Sequence, residues 1–99
     1  GPWLVTADEV GDAADLAVET RLNGEVMQAS STSDLIFDIP TLIEYCSTFA
    51  RMEPGDVIAT GTPGGVGAAR KPPVWMKAGD TIEVSVARVG VLSNKVADE

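Results

Sequence analysis

The sequence predicts an α+β chain, mainly β with one main helix. Three observations carry that reading. Residues 16–22 and 81–86 alternate apolar and polar side chains, and each stretch runs on to a glycine-bearing turn. Residues 39–50 repeat apolar side chains at helical spacing. A short β-branched run, residues 56–60, stops at a loop rich in glycine.

Taken in order, residues 1–6 read as an extended segment in which Trp3 and Leu4 pack. Residues 6–15 hold Asp8, Glu9, Asp12 and Asp15. They lack the calcium-loop pattern of alternating acids, glycine and a closing Glu, so a solvated loop is the better reading. In the next stretch Leu16, Val18, Thr20 and Leu22 share one strand face, and Ala17, Glu19 and Arg21 share the other. Asn23-Gly24 then marks a hairpin, because both central residues of a type I′ turn need positive φ. Residues 25–29 return as the partner strand, with Gln28 and Val26 on one face and Met27 on the other.

Residues 30–34 are polar and turn-prone and lead into the apolar trio Leu35-Ile36-Phe37. A helix starts at Asp38 or Ile39. Asp38 can cap it, and Pro40 loses nothing in a first turn whose N–H groups have no partner. Ile39, Leu42, Ile43, Cys46, Phe49 and Ala50 form its apolar side. The helix is expected to pack on the sheet, so Leu42→Ala or Phe49→Ala is expected to lower stability by ~2–5 kcal/mol. Glu53-Pro54-Gly55-Asp56 breaks the helix and turns the chain into residues 56–60, expected as a central strand.

Beyond the glycine loop, residues 68–71 read as exposed and mobile, and Pro72-Pro73 stiffens the chain into the next segment. Val74-Trp75-Met76 is an apolar patch whose Trp75 suits a core, a partner surface or a pocket lid. Lys77-Ala78-Gly79-Asp80 is a turn. Ile82, Val84 and Val86 then share a strand face, Gly90 marks a second hairpin and residues 91–96 return. The sheet is expected to be mostly antiparallel or mixed. No repeat or low-complexity tract is present.

Composition narrows the function. Ninety-nine residues make one domain at most, and an apolar fraction of 44% suffices for a core. The net charge of −8 argues against nucleic acid, whose phosphates attract clustered Lys and Arg. No apolar run of about 18 residues exists, so no membrane partner is expected. The lone Cys46 cannot form an internal disulfide, which fits a reducing cytoplasm.

The most informative stretch is the loop Gly61-Thr62-Pro63-Gly64-Gly65-Val66-Gly67. Four glycines and one proline in seven residues can neither extend a strand nor start a helix cheaply. Backbone that bends this sharply can aim several N–H groups at one point. Thr62 is the only hydroxyl in it. Two readings stand: a tight connection, or a cradle for a carboxylate or phosphate oxygen. The Walker and Rossmann spacings are both absent.

Thr60-Gly61-Thr62-Pro63-Gly64-Gly65-Val66-Gly67, Arg70-Lys71-Pro72-Pro73-Val74 and Lys77-Ala78-Gly79-Asp80 resemble the C-terminal part of the fumarylacetoacetate hydrolase family. Gly1-Pro2-Trp3-Leu4-Val5-Thr6-Ala7-Asp8-Glu9, Asn23-Gly24-Glu25-Val26 with Gln28, and Thr32-Ser33-Asp34-Leu35-Ile36-Phe37 agree, in order and at the usual spacings. Gly1-Pro2 is also readable as a cloning remnant; the resemblance includes both residues and favours a fragment cut at a natural Gly-Pro-Trp.

The resemblance implies that residues 1–99 are the C-terminal portion of an incomplete catalytic domain, part of a mixed β-sandwich roll. It implies an enzyme acting on 2-oxo or β-diketo acids by C–C hydrolysis, decarboxylation or tautomerisation, the isolated fragment being inactive. It further implies that Thr62 binds the substrate carboxylate through hydroxyl and backbone N–H, that Gly61 allows close approach, and that Pro63 holds the turn. Gln28 and Arg70 are weaker pocket candidates, for which an exposed structural role is preferred. The family's cofactor is Mg²⁺ or Mn²⁺. Its ligands, a Glu-x-Glu pair and a later Asp, have no counterpart here, so no metal site is expected within this chain. A homodimer or higher homo-oligomer is expected, since a piece of the roll exposes strand edges and an apolar face. The alternative is a non-catalytic sheet module for dimerisation or partner binding. A Glu-x-Glu, an Asp and a Lys encoded upstream of Gly1 would support the enzyme.

Overall fold

The computed structural model describes residues 2–98; the expectations that involve Gly1 and Glu99 lie outside the described residues. Its frame is a four-stranded antiparallel sheet in the order β2-β1-β3-β4, with β1 at Ala17–Leu22, β2 at Glu25–Ser31, β3 at Thr81–Val86 and β4 at Gly90–Lys95. Both hairpins fall where the turn residues put them. Asn23 and Gly24 take φ of 52° and 83°, the left-handed pair that a tight hairpin turn needs. Asn23 also ties the two hairpins together. Its side-chain amide donates to Asp80 at 2.8 Å, and its carbonyl oxygen accepts from the Thr81 N–H at 2.8 Å.

One irregularity in the sheet matters for the site. Down the first hairpin Leu22 faces Glu25 and Arg21 faces Val26, but Thr20 faces Gln28. The ladder skips Met27, a β-bulge. Cross-strand partners share a face, so Val26 joins Arg21 while Gln28 joins Thr20. Strict alternation groups Val26 with Gln28; the extra residue separates them.

The first helix, α1, is a single turn at Ala7–Val10, within the segment read as a solvated loop; its Val10 is buried. The main helix, α2, spans Ile39–Ser47. The Asp38 carboxylate accepts from the Thr41 N–H at 2.9 Å and Pro40 lies in the first turn, as the capping pattern requires. Short 3₁₀ turns occupy Thr32–Asp34 and Gly67–Ala69.

Other expectations change. Residues 56–60 form no strand: they pair with no described strand, and Val57 is 91% exposed. A β-branched run is a strand only when a neighbour supplies its ladder. The helix does not bury its apolar side. No α2 residue is buried and Phe49 is 68% exposed, so the cost assigned to Phe49→Ala does not apply to this chain. Leu4 is 95% exposed rather than packed. Trp3 is 59% exposed, but its ring lies against Gly90 and its indole N–H donates to the Val89 carbonyl at 2.7 Å, so it packs on the second hairpin. Of the three readings open for Trp75, its exposure excludes the core of this chain and leaves a partner surface or a pocket lid.

The hydrophobic core among the described residues is Val10 and Leu16, with half-buried strand residues around it. The radius of gyration is 15.5 Å, against about 13 Å for a compact domain of about 100 residues. Large apolar side chains on α2 and at Val74, Trp75 and Met76 therefore face outward.

Asp34, Asp38 and Asp80 are held by local donors, which lower their pKa values. Asp34 accepts from the Ser30 hydroxyl and then the Ser31 N–H. Asp38 is held by the side chain and then the N–H of Thr41, and Asp80 by the Asn23 amide and then the Lys77 N–H. A depressed folded-state pKa contributes stability that is present above the unfolded value, about 3.9, and is lost as pH falls through the lower folded value. Thermal unfolding should therefore occur at lower temperature as pH drops below about 4. Replacing the three with Asn should flatten that acid limb; an equally steep limb would remove these carboxylates from the account.

Candidate functional site

The glycine loop is seated on the bulge. Skipping Met27 takes its carbonyl out of the regular ladder, and two features of the loop meet it. Gly65 lies against it: a Cβ on Gly65 would sit 2.2 Å from the Met27 oxygen, and its φ is +101°. Arg70 reaches over the loop. One guanidinium N–H₂ donates to the Met27 oxygen at 2.5 Å, and Nε donates to the Gly65 carbonyl at 3.1 Å. The loop's far end is fixed in the same way. A Cβ on Gly67 would sit 2.2 Å from the Val74 carbonyl, while the Gly67 carbonyl accepts from the Val74 N–H at 3.0 Å. Residues 68–71, expected to be exposed and mobile, thus include a half-buried arginine that ties the loop to β2.

Gln28 is the second tie. Its Nε2 donates to the Thr62 hydroxyl oxygen at 2.9 Å and to the Pro63 carbonyl at 2.8 Å. Gln28 and Arg70 are both half-buried. Of the exposed structural role preferred for them from sequence, the exposure is corrected and the structural part holds: each bonds the loop, and Gln28 touches Thr62 itself. Periodicity could not show this, because it is the bulge that places Gln28 on the Thr20 face.

Gly61, Thr62 and Pro63 line a cleft of about 540 Å³ between the loop, β2 and the start of α2. Leu35, Phe37 and Leu42 give it an apolar wall, and Ser30 and Asp34 a polar one. Gly61 has φ +111° and no heavy atom within 4 Å of a would-be Cβ, so its backbone stands open to an approaching ligand. Thr62 is exposed. With the Gln28 amide donating to its oxygen, its own proton is left to point elsewhere. The Asp34 carboxylate would repel an anion from its own wall, and the Thr62 wall carries no such charge.

Residues 1–97 match the family described as fumarylacetoacetate (FAA) hydrolase, C-terminal. The chain belongs to the fumarylacetoacetate hydrolase family. Among its relatives is a protein named mitochondrial oxaloacetate tautomerase, of Bos taurus, 49% identical over 96 residues. That match takes in 97% of this chain and 31% of the relative. The solved fumarylacetoacetate hydrolase of the psychrophile Exiguobacterium antarcticum superposes with a TM-score of 0.94 at 47% identity, over 100% of this chain and 35% of that one. A maleylpyruvate hydrolase from Sphingobium sp. SYK-6, in complex with manganese(II) and pyruvate, superposes at 0.86 with 41% identity, over 98% and 34% of the two chains. The fold is thus that of the family's C-terminal domain, and the relatives are enzymes. The chain spans about a third of the length of the curated relatives it matches.

A hard divalent cation needs several oxygen donors together. Among the described residues no group of three or more His, Cys, Asp or Glu side chains could hold a metal ion. The donor set of the described residues therefore does not by itself fit one. Among the described residues no helix is long and apolar enough to cross a membrane.

Proposed function

We propose that this chain is the C-terminal portion of a catalytic domain whose whole protein acts on 2-oxo or β-diketo acids, and that its glycine loop holds the substrate carboxylate. The observation that carries the reading is the Thr62 hydroxyl, in the cleft beside the open backbone of Gly61 and fixed from behind by Gln28. A carboxylate oxygen there accepts the Thr62 proton, and Gly61 lets it come near the backbone. Pro63 is held by its carbonyl, which keeps the bend in place. Thr62 orients the substrate; it does not shuttle protons. The relatives named above as tautomerase and hydrolase fit a substrate whose chemistry occurs next to a carbonyl. Mg²⁺ or Mn²⁺, held by residues outside this chain, would supply positive charge for the developing enolate. Whether the outcome is hydrolysis, decarboxylation or tautomerisation depends on groups at the substrate's other end.

The outward-facing Tyr45, Phe49, Trp75 and Met76 support burial against the rest of the protein and a second copy, as a homodimer or higher homo-oligomer. The free thiol of Cys46 fits a reducing compartment, which we take to be the cytoplasm.

In the protein that carries this chain, Thr62→Ala removes one hydrogen bond to a charged group, worth ~1.5–3 kcal/mol. KM for a 2-oxo acid, and the inhibition constant of oxalate, should rise by about 10- to 150-fold. Unchanged oxalate binding would show that Thr62 does not hold the carboxylate.

A further inference from the structure

We propose that Gln28 is a positioning residue that keeps the Thr62 hydroxyl proton off the loop side, by occupying a lone pair there, so that the proton is free to serve the cleft. This rests on the reading of Thr62 as the carboxylate-binding group.

The orientation of the Gln28 amide is fixed by its partners. Oxygen and nitrogen of a glutamine amide are told apart by what they bond. The Pro63 carbonyl can only accept, so the group facing it, 2.8 Å away, is the NH₂. That same NH₂ lies 2.9 Å from the Thr62 oxygen. One of its hydrogens serves each oxygen. Thr62 is therefore an acceptor toward Gln28, and its single proton has to point another way. Thr62 is exposed and lines the cleft, which is the open direction.

Gln28 is itself held still. Its backbone pairs with Thr20 beside the bulge, and the backbone of Gly65 closes on its stem: a Cβ on Gly65 would be 3.3 Å from Gln28 Cγ. A fixed donor behind a hydroxyl removes the rotamer choice that the hydroxyl would otherwise have to give up on binding. The ligand class that benefits is an anion whose oxygens only accept, such as a carboxylate.

The test uses the full-length protein, oxalate as the probe and three substitutions. Gln28→Glu keeps the shape, but an ionised carboxylate can only accept. It takes the Thr62 proton and turns the donor away from the cleft. Gln28→Met removes both donors and leaves the hydroxyl free to rotate. Thr62→Val removes the hydroxyl. Oxalate affinity should fall at least about tenfold in Gln28→Glu at neutral pH, and only about two- to fivefold in Gln28→Met. In Gln28→Glu alone, the loss relative to the unsubstituted protein should shrink as pH falls toward about 4–5, where a protonated Glu can donate again. In combination with Thr62→Val, neither Gln28 substitution should have much further effect.

A residue that merely propped the loop would give equal losses in Gln28→Glu and Gln28→Met with no pH recovery, and that result overturns the proposal. So does a Gln28→Glu loss that persists in full beside Thr62→Val, since it would come from direct repulsion of oxalate. Should Gln28→Glu fail to fold, the Gln28→Met and Thr62→Val cycle decides: additive losses overturn the proposal and coupled ones support it. If Thr62→Val itself leaves oxalate affinity unchanged, the carboxylate reading fails first. If Thr62→Val weakens binding while both Gln28 variants bind normally, only the role of Gln28 fails.

Discussion

Gly65→Ala should destabilise the protein by at least about 3 kcal/mol and weaken substrate binding with it. Two separate effects add at this position. The φ of +101° is strained for any L side chain. In addition, the new methyl would sit 2.2 Å from the Met27 carbonyl oxygen, a backbone atom that cannot swing aside. Relief requires lifting the loop off β2, which also pulls Pro63 and Thr62 away from the Gln28 amide. Gly64 is the internal control. It is adjacent and its φ is not positive, and a Cβ there meets nothing within 4 Å. Gly64→Ala should therefore be near neutral in urea or thermal unfolding. Equal effects at the two positions would mean that the loop is not seated on the bulge.

Arg70→Ala should be the second large loss. It removes the donor that serves the Met27 and Gly65 carbonyls together. Hydrogen bonds to a charged group are worth ~1.5–3 kcal/mol each, and half-burial discounts that, so a total of about 2–4 kcal/mol is expected. The informative variant is Arg70→Lys. A lysine keeps the charge but has no planar fork, so it cannot hold two carbonyls in the arginine's geometry. It should recover less than half of the loss in an unfolding measurement, with KM for a 2-oxo acid still raised. Full recovery by lysine would reduce the role of Arg70 to simple charge.

Some of this architecture is legible in the sequence because its signals are local. Asn23-Gly24 marks its hairpin through the φ values its turn demands. Asp38 and Pro40 mark a helix start through the N–H groups that start leaves over. Thr62 stands out as the one hydroxyl in a glycine loop. The features that sequence reasoning misses depend on neighbours. Residues 56–60 have strand chemistry, but without a ladder they remain an irregular segment. The apolar side of α2 has the right spacing, yet in this chain Ile39, Leu42 and Cys46 are only half-buried and Ile43 and Phe49 stay exposed. Gln28 is grouped with Val26 because a period of two makes no allowance for a residue that the ladder skips, and Arg70 reads as exposed because it follows the glycine loop, outside any periodic element. Arg70 is 43 residues from Met27, so no local window could pair them.

The extra residue in β2 has an effect on any attempt to transplant the loop. In an unbroken hairpin counted from Leu22 and Glu25, the residue opposite Thr20 would be Met27, and Gln28 would stand opposite Glu19 on the reverse side of the sheet. Its amide would then point away from the threonine altogether. A designer who copied only the glycine motif onto a regular hairpin would obtain the bend without its anchor. Which side of the sheet presents Gln28 is thus set by a miscount of one in a neighbouring ribbon.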